Sequence, residues 1–166
     1  MFQKMLQGGS GGSASFKTDA MISQVPKITS SADTRVNQSS YASNKYGTFY
    51  GYLAFDQNSD TQWIANNITD EWISFDFSEP KVINACVIMA NTGTGGTRIK
   101  DFRIEGSNDG VNFNDVVFSG TYPDVADINY YFAFENTKSY RYYRLYVVNT
   151  YGSQGVSIKE LTFIGT

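Results

Sequence analysis

A chain of 166 residues with 12 Tyr, 12 Phe and only 17% charged residues has material for one domain core, in a composition tilted towards β-structure. A net charge of −3, with its 13 Lys and Arg scattered rather than clustered, excludes the phosphate-binding surface that nucleic acid requires. No apolar run approaches the roughly 18 residues of a membrane span, and the single cysteine, Cys86, rules out an intrachain disulfide.

The chain opens on a short peptide carrying Phe2, Met5 and Leu6, followed at residues 7–13 by Gln-Gly-Gly-Ser-Gly-Gly-Ser, a flexible linker by composition. The opening lacks the long apolar stretch of a secretion signal. It reads either as an anchor that docks on another subunit or as an expression scar with an engineered linker, and the anchor is the preferred reading. Residues 1–26 are therefore set apart as anchor and linker, and residues 27–166 as the folded domain.

The segment Leu53-Ala-Phe-Asp-Gln-Asn-Ser-Asp-Thr-Gln-Trp63 is too polar for a buried strand. Asp56, Asn58 and Thr61 place short oxygen side chains at i, i+2 and i+5, a spacing that lets a tight loop wrap one hard cation such as calcium. The alternative is an Asx-rich turn held by local hydrogen bonds. A distant acid, Glu160, is placed to complete the shell and fasten the last strand to this loop.

Beyond the loop the chain alternates strand and turn. Trp72–Phe77 alternates large apolar with small or polar residues, a half-buried strand. Val82–Met89 is more continuously apolar, with Cys86 expected as a small buried hydrophobe. The glycine-rich Asn91–Thr97 has no following helix and no Lys-Ser/Thr, so it is not a phosphate loop. Phe102–Gly106 and Phe113–Phe118 flank an Asp-Gly turn ending at Gly110. Tyr130–Phe134, Tyr142–Val148 and Val156–Phe163 complete the set. No segment longer than about ten residues has a helical period. About eight strands separated by turns predict an all-β sandwich or jelly roll.

The order of these motifs resembles the discoidin family, also called the coagulation factor 5/8 type C domain. Ala54–Trp63 is similar to its Ala-x-Asp-Gly-x-x-x-Thr-x-Trp, Glu71–Phe77 to its Trp-Ile-x-Val-Asp-Leu strand, and Phe102–Gly110 to its Ser-x-Asp-Gly hairpin. Tyr140–Leu145 is similar to Ala-Arg-Tyr-Val-Arg-Leu, and Glu160–Phe163 to the closing Glu-Leu strand. The resemblance implies an eight-stranded antiparallel jelly-roll β-sandwich of the galactose-binding-domain type. It also implies a structural calcium held by the Leu53 carbonyl, Asp56, Asn58, Thr61 through hydroxyl and carbonyl, the Lys159 carbonyl and Glu160. Gln57 departs from the family's usual glycine, a position that often needs a special backbone angle. Trp63, Trp72, Arg141 and Arg144 match family positions and are read as scaffold, the tryptophans filling the core and the arginines pairing with acids such as Asp76 or covering aromatic faces.

Relatives of this kind are mostly binding modules with ligands on the loops at one end of the sandwich. Sugar recognition needs an aromatic platform plus planar amides or Arg. In this chain the candidates are Tyr46, Tyr50, Asn67, Asn91, Arg98 and Tyr151; for Asn91 and Arg98, hydrogen bonding at strand ends is the competing reading. The chain has no histidine, so galactose specificity does not transfer. Without His or a reactive Cys, and with no glycosidase-like acid pair, no enzyme activity is expected. The expectation is a lectin-like module on a bacteriophage virion or tail fibre, at an extracellular surface. There it would be multimeric, docked through residues 1–13 on other assembly subunits, and would bind cell-surface glycans. The alternative is a structural decoration or adaptor protein whose sandwich makes protein–protein contacts.

Overall fold

A computed structural model describes residues 22–91 and 96–166; the expected anchor and linker at residues 1–13 lie outside the described residues. In chain order the elements are β1 (Ile22–Ser23), β2 (Val36–Gln38), β3 (Ser43–Asn44), β4 (Gly47–Thr48), a 3₁₀ turn (Gly51–Ala54), β5 (Trp63–Ala65), β6 (Glu71–Lys81) and β7 (Ile83–Ala90). They continue with β8 (Asp101–Ser107), β9 (Asp115–Thr121), β10 (Asn129–Ala133), β11 (Tyr140–Val147) and β12 (Val156–Gly165). Among the described residues no helix is long and apolar enough to cross a membrane.

Two five-stranded antiparallel sheets form the all-β sandwich. One runs β2-β6-β11-β8-β9; the other runs β1-β12-β7-β10, with β5 also pairing with β12. Period-two alternation sorts the side chains. On β11, Tyr143, Leu145 and Val147 are buried, while Arg144 and Tyr146 are only half-buried. The core is aromatic: Phe77 meets Phe75, Tyr143 and Phe163 edge-on, and Phe102 meets Phe132 at 4.9 Å. Such pairs add about 0.5–1.5 kcal/mol each beyond their buried area. Cys86 is fully buried, and burial pushes its thiol well above the ordinary range, so it is an inert packing group.

The scaffold residues stand as the sequence suggested except Trp72, which is half-buried outside the core because the alternation of β6 turns it to the outer face, beside Arg144. Trp63 is 0% exposed and donates through Nε1 to the Ser40 carbonyl at 2.9 Å. Arg141 holds Asp76 through Nε and Nη2 at 2.8 and 2.7 Å. Arg144 reaches Glu105 at 2.5 Å and lies over the Phe113 ring at 4.3 Å and the Trp72 ring at 5.6 Å. Two boundaries differ from the sequence reading. Residues 22–26 join the sandwich rather than a linker: Ile22 and Ser23 pair with Gly165 and Ile164, and Val25 is buried in the core. Phe113 precedes its strand, which begins at Asp115, and its ring lies under Arg144. The strand count also rises to twelve among the described residues, since two- and three-residue strands leave no periodic signal.

The pairing register sets the two ends of the sandwich. Glu71 lies opposite Val147, Val147 opposite Phe102, and Ile158 opposite Ala90. The start of β6, the end of β11, the start of β8, the end of β7 and the start of β12 therefore share one end. The connections 66–70, 91–100 and 148–155 emerge there together. Along its outer edge β12 pairs with β5 only as far as Ile158 and with β1 only from Ile164. The stretch between is left open to the loop that follows the 3₁₀ turn.

Candidate functional site

That loop is built from its own side chains. Asp56, 7% exposed, accepts from the Asn58 amide at 3.0 Å and from the Thr61 hydroxyl at 2.7 Å. The Asn58 carbonyl accepts from the Thr61 amide at 3.1 Å and hydroxyl at 2.8 Å, and the Asn58 side-chain oxygen accepts from the Asp60 amide at 3.1 Å. Gln57 takes a φ of 54°, the left-handed angle that a glycine would adopt without strain. The Asx-turn reading thus describes the hydrogen bonds of Asp56, Asn58 and Thr61.

It does not account for Glu160. In the pairing of β12 with β7, Ile158 faces Ala90 and Glu160 faces Met89, so Lys159 is the extra residue of a bulge. The bulge re-aims the strand beside the loop. The Glu160 Oε1 atom is buried without a hydrogen-bond partner. Burial first, and then the neighbouring Asp56 carboxylate, push the Glu160 carboxyl up to about 7, against the amides of Asn58 and Gln57 that favour its ionised form. The Lys159 ammonium does not relieve this, since it pairs with Asp127 at 2.7 Å. Two acids from distant parts of the chain therefore come together at this loop. Among the described residues no cluster of three or more His, Cys, Asp or Glu occurs. Hard oxygen donors carrying two negative charges suit a calcium-type dication and not a transition metal.

At the loop end of the sandwich, an open groove of about 730 Å³ runs between Ser39–Ser40, residues 66–71 and residues 153–155. Its walls are tied by one acid. Glu71, at the start of β6 and 1% exposed, accepts from the Ser40 hydroxyl at 2.7 Å, from the Asn67 amide at 3.0 Å and side chain at 2.7 Å, and from the Ser39 hydroxyl. The Ser40 oxygen accepts in turn from the Asn66 amide at 3.0 Å, and the Asn66 side chain donates to the Tyr41 carbonyl at 3.1 Å. Gly155, with φ of 115°, lets the third wall approach: a Cβ there would lie 2.6 Å from the Ala65 carbonyl oxygen.

The six predicted ligand contacts are dispersed. Asn67 lines the groove. Tyr46 stands 80% exposed between β3 and β4, with the Lys45 ammonium 4.9 Å from its ring centre. Tyr50 packs on Tyr41 at 4.5 Å and lines a separate small pocket beside Gln38 and Tyr52. Arg98 pairs with Asp124 at 2.9 Å, and Tyr151 donates its hydroxyl to the Tyr122 carbonyl at 2.9 Å, so both also brace the loops. Asn91 follows β7 directly and is half-buried. The groove residues outside that set include Ser39, Ser40, Asp70, Glu71 and Gln154. Their only sequence signal was membership of polar loops and, for Glu71, the acid that opens the Trp-Ile strand motif.

The profile of the F5/8 type C domain matches residues 35–161. No curated protein matches the chain. Among solved structures, the chain is similar to CBM32 of AlyQ in complex with 4,5-unsaturated mannuronic acid, at 23% identity over 78% of this chain and 93% of that one, with a TM-score of 0.65. The family 32 CBM from C. perfringens NanJ in complex with galactose is similar at 17% identity, 78% and 91% coverage and a TM-score of 0.65. Chitosan-binding module 1 from a chitosanase/glucanase of Paenibacillus sp. IK-5 follows at 18% identity, 87% and 99% coverage and a TM-score of 0.65.

Proposed function

Since the chain belongs to the F5/8 type C domain family, we propose that it is a non-catalytic, lectin-like carbohydrate-binding module whose loop-end groove holds the glycan. The observation that carries this reading is the groove itself, an open cleft lined by hydroxyls and amides and braced by the buried Glu71. A rigid frame with convergent polar groups is what sugar hydroxyls need. The solved relatives bind an unsaturated uronic acid, galactose or chitosan, which supports a glycan as partner and leaves its identity to this chain's own side chains. Hydrolysis finds no pair of free acids in the groove: Glu71 is buried and engaged by four donors, leaving Asp70 alone.

Calcium belongs to the same proposal, as a structural ion. Asp56 and Glu160 supply the charge; Asn58, Thr61 and the carbonyls of Leu53 and Lys159 supply neutral oxygens. When bound, such an ion would supply the double positive charge that the buried Asp56 and Glu160 carboxylates lack. A display setting completes the reading: residues 1–13 would attach many copies to a phage particle, where linkage raises weak binding by roughly 10²- to 10⁴-fold. A glycan-array screen of the chain with and without chelator tests glycan and calcium together. Selective binding weakened by chelator is expected; silence on every glycan in calcium would overturn the glycan reading. Deleting residues 1–13 tests the attachment, with lost incorporation into particles as the expected result.

A further inference from the structure

The groove's charge balance selects among glycans, an inference that rests on the groove being the sugar site. No Lys or Arg lines it among the described residues, while Asp70 and Glu71 do. Glu71 has its carboxylate consumed by the loop walls. Asp70 is exposed, held at a φ of 60° with its amide on the Val147 carbonyl at 3.0 Å, and accepts from the Tyr146 hydroxyl on Oδ1 at 2.5 Å. Among the described residues no hydrogen bond reaches its Oδ2 atom.

The chain's five arginines are all committed elsewhere: Arg35 to Asp33, Arg98 to Asp124, Arg103 and Arg144 to Glu105, and Arg141 to Asp76. A carboxylate-bearing sugar entering this groove would give up water without meeting a cation, and would face Asp70. An ammonium would meet a pre-positioned carboxylate oxygen and gain a charge-assisted hydrogen bond. We propose that the groove takes amino sugars with an unsubstituted amine, glucosamine-type oligomers, with Asp70 as the specificity-determining acceptor, and that it rejects uronates.

The test is calorimetric titration of the full chain with calcium, using three oligosaccharides of equal length: glucosamine, N-acetylglucosamine and polyuronate. Glucosamine oligomers should bind tightest, with an affinity that falls as salt rises and as pH passes above the sugar amine's pKa. Asp70→Asn, which tolerates the same backbone angle and keeps the acceptor for Tyr146, should weaken glucosamine binding about tenfold and leave the acetylated oligomer unchanged. Glu79→Gln removes the same charge at the opposite end of β6 and should change neither. Uronate binding as tight as glucosamine, or glucosamine affinity indifferent to both salt and Asp70→Asn, would overturn the charge assignment while leaving a sugar site in place. No binding of any sugar, here and on the array, would instead remove the reading beneath it.

Discussion

Glu160 is the residue on which the calcium proposal is most exposed. Its carboxyl moves from the ordinary 4.5 up to about 7 in the folded, ion-free protein. The folded state therefore binds more protons than the unfolded chain across that interval, and stability must fall as pH rises through it. In chelator, urea-unfolding midpoints should decline from about pH 4.5 to about pH 7 and then level. Calcium at this site would bind the ionised form and displace the proton, so its affinity should climb over the same window. Glu160→Gln should flatten the chelated profile and abolish the calcium response; a calcium-induced rise in Tm that survives it would refute the site. At a concentration a hundredfold above its Kd, the ion is worth about 2.7 kcal/mol to the wild type. Gln57, whose amide reaches the Glu160 carboxylate, sits at a left-handed angle. Gln57→Gly should raise stability by about 0.5–1 kcal/mol, read from the same unfolding curves.

Among the elements, β6 shows what a sequence reveals and what it hides. Its alternation made the strand plain, because burial on one face writes a period of two into the residues. Its first residue carried no such mark: Glu71 matters through donors at Ser39, Ser40 and Asn67, which converge only after folding. The same contrast separates the loop of Asp56 from the groove. Asp56, Asn58 and Thr61 lie within six residues and share a legible spacing, whereas the groove joins three polar loops that the sequence marks one by one and that only folding brings together. Tyr46, Tyr50 and Tyr151 stand on polar loops with the right chemistry, yet none of them lines the groove. Glu71→Ala would strip four hydrogen bonds from the loop walls. It should cost about 2–3 kcal/mol in unfolding experiments and remove glycan binding, while the calcium-induced Tm shift persists. Equal loss of calcium response would mean that the two regions are coupled.

At the scale of the molecule, the aromatic core and the arginine–acid pairs of the outer face make a rigid body with little left to rearrange on binding. Arg144 alone contacts Glu105 and the rings of Trp72, Phe113 and Tyr146. That rigidity makes the pairing of Ile22 with Gly165 consequential. Both described ends of the chain meet where β7 begins and β12 finishes, and the groove opens where β12 starts, nine strand residues or about 30 Å away. A module biotinylated at its N-terminus and captured on a sensor should retain full sugar affinity, whereas capture through a label at Gln154 should abolish it. The register of a two-residue strand thus gives the domain two opposite poles, so that a tether fixed at Ile22 would leave the groove facing away from its point of attachment.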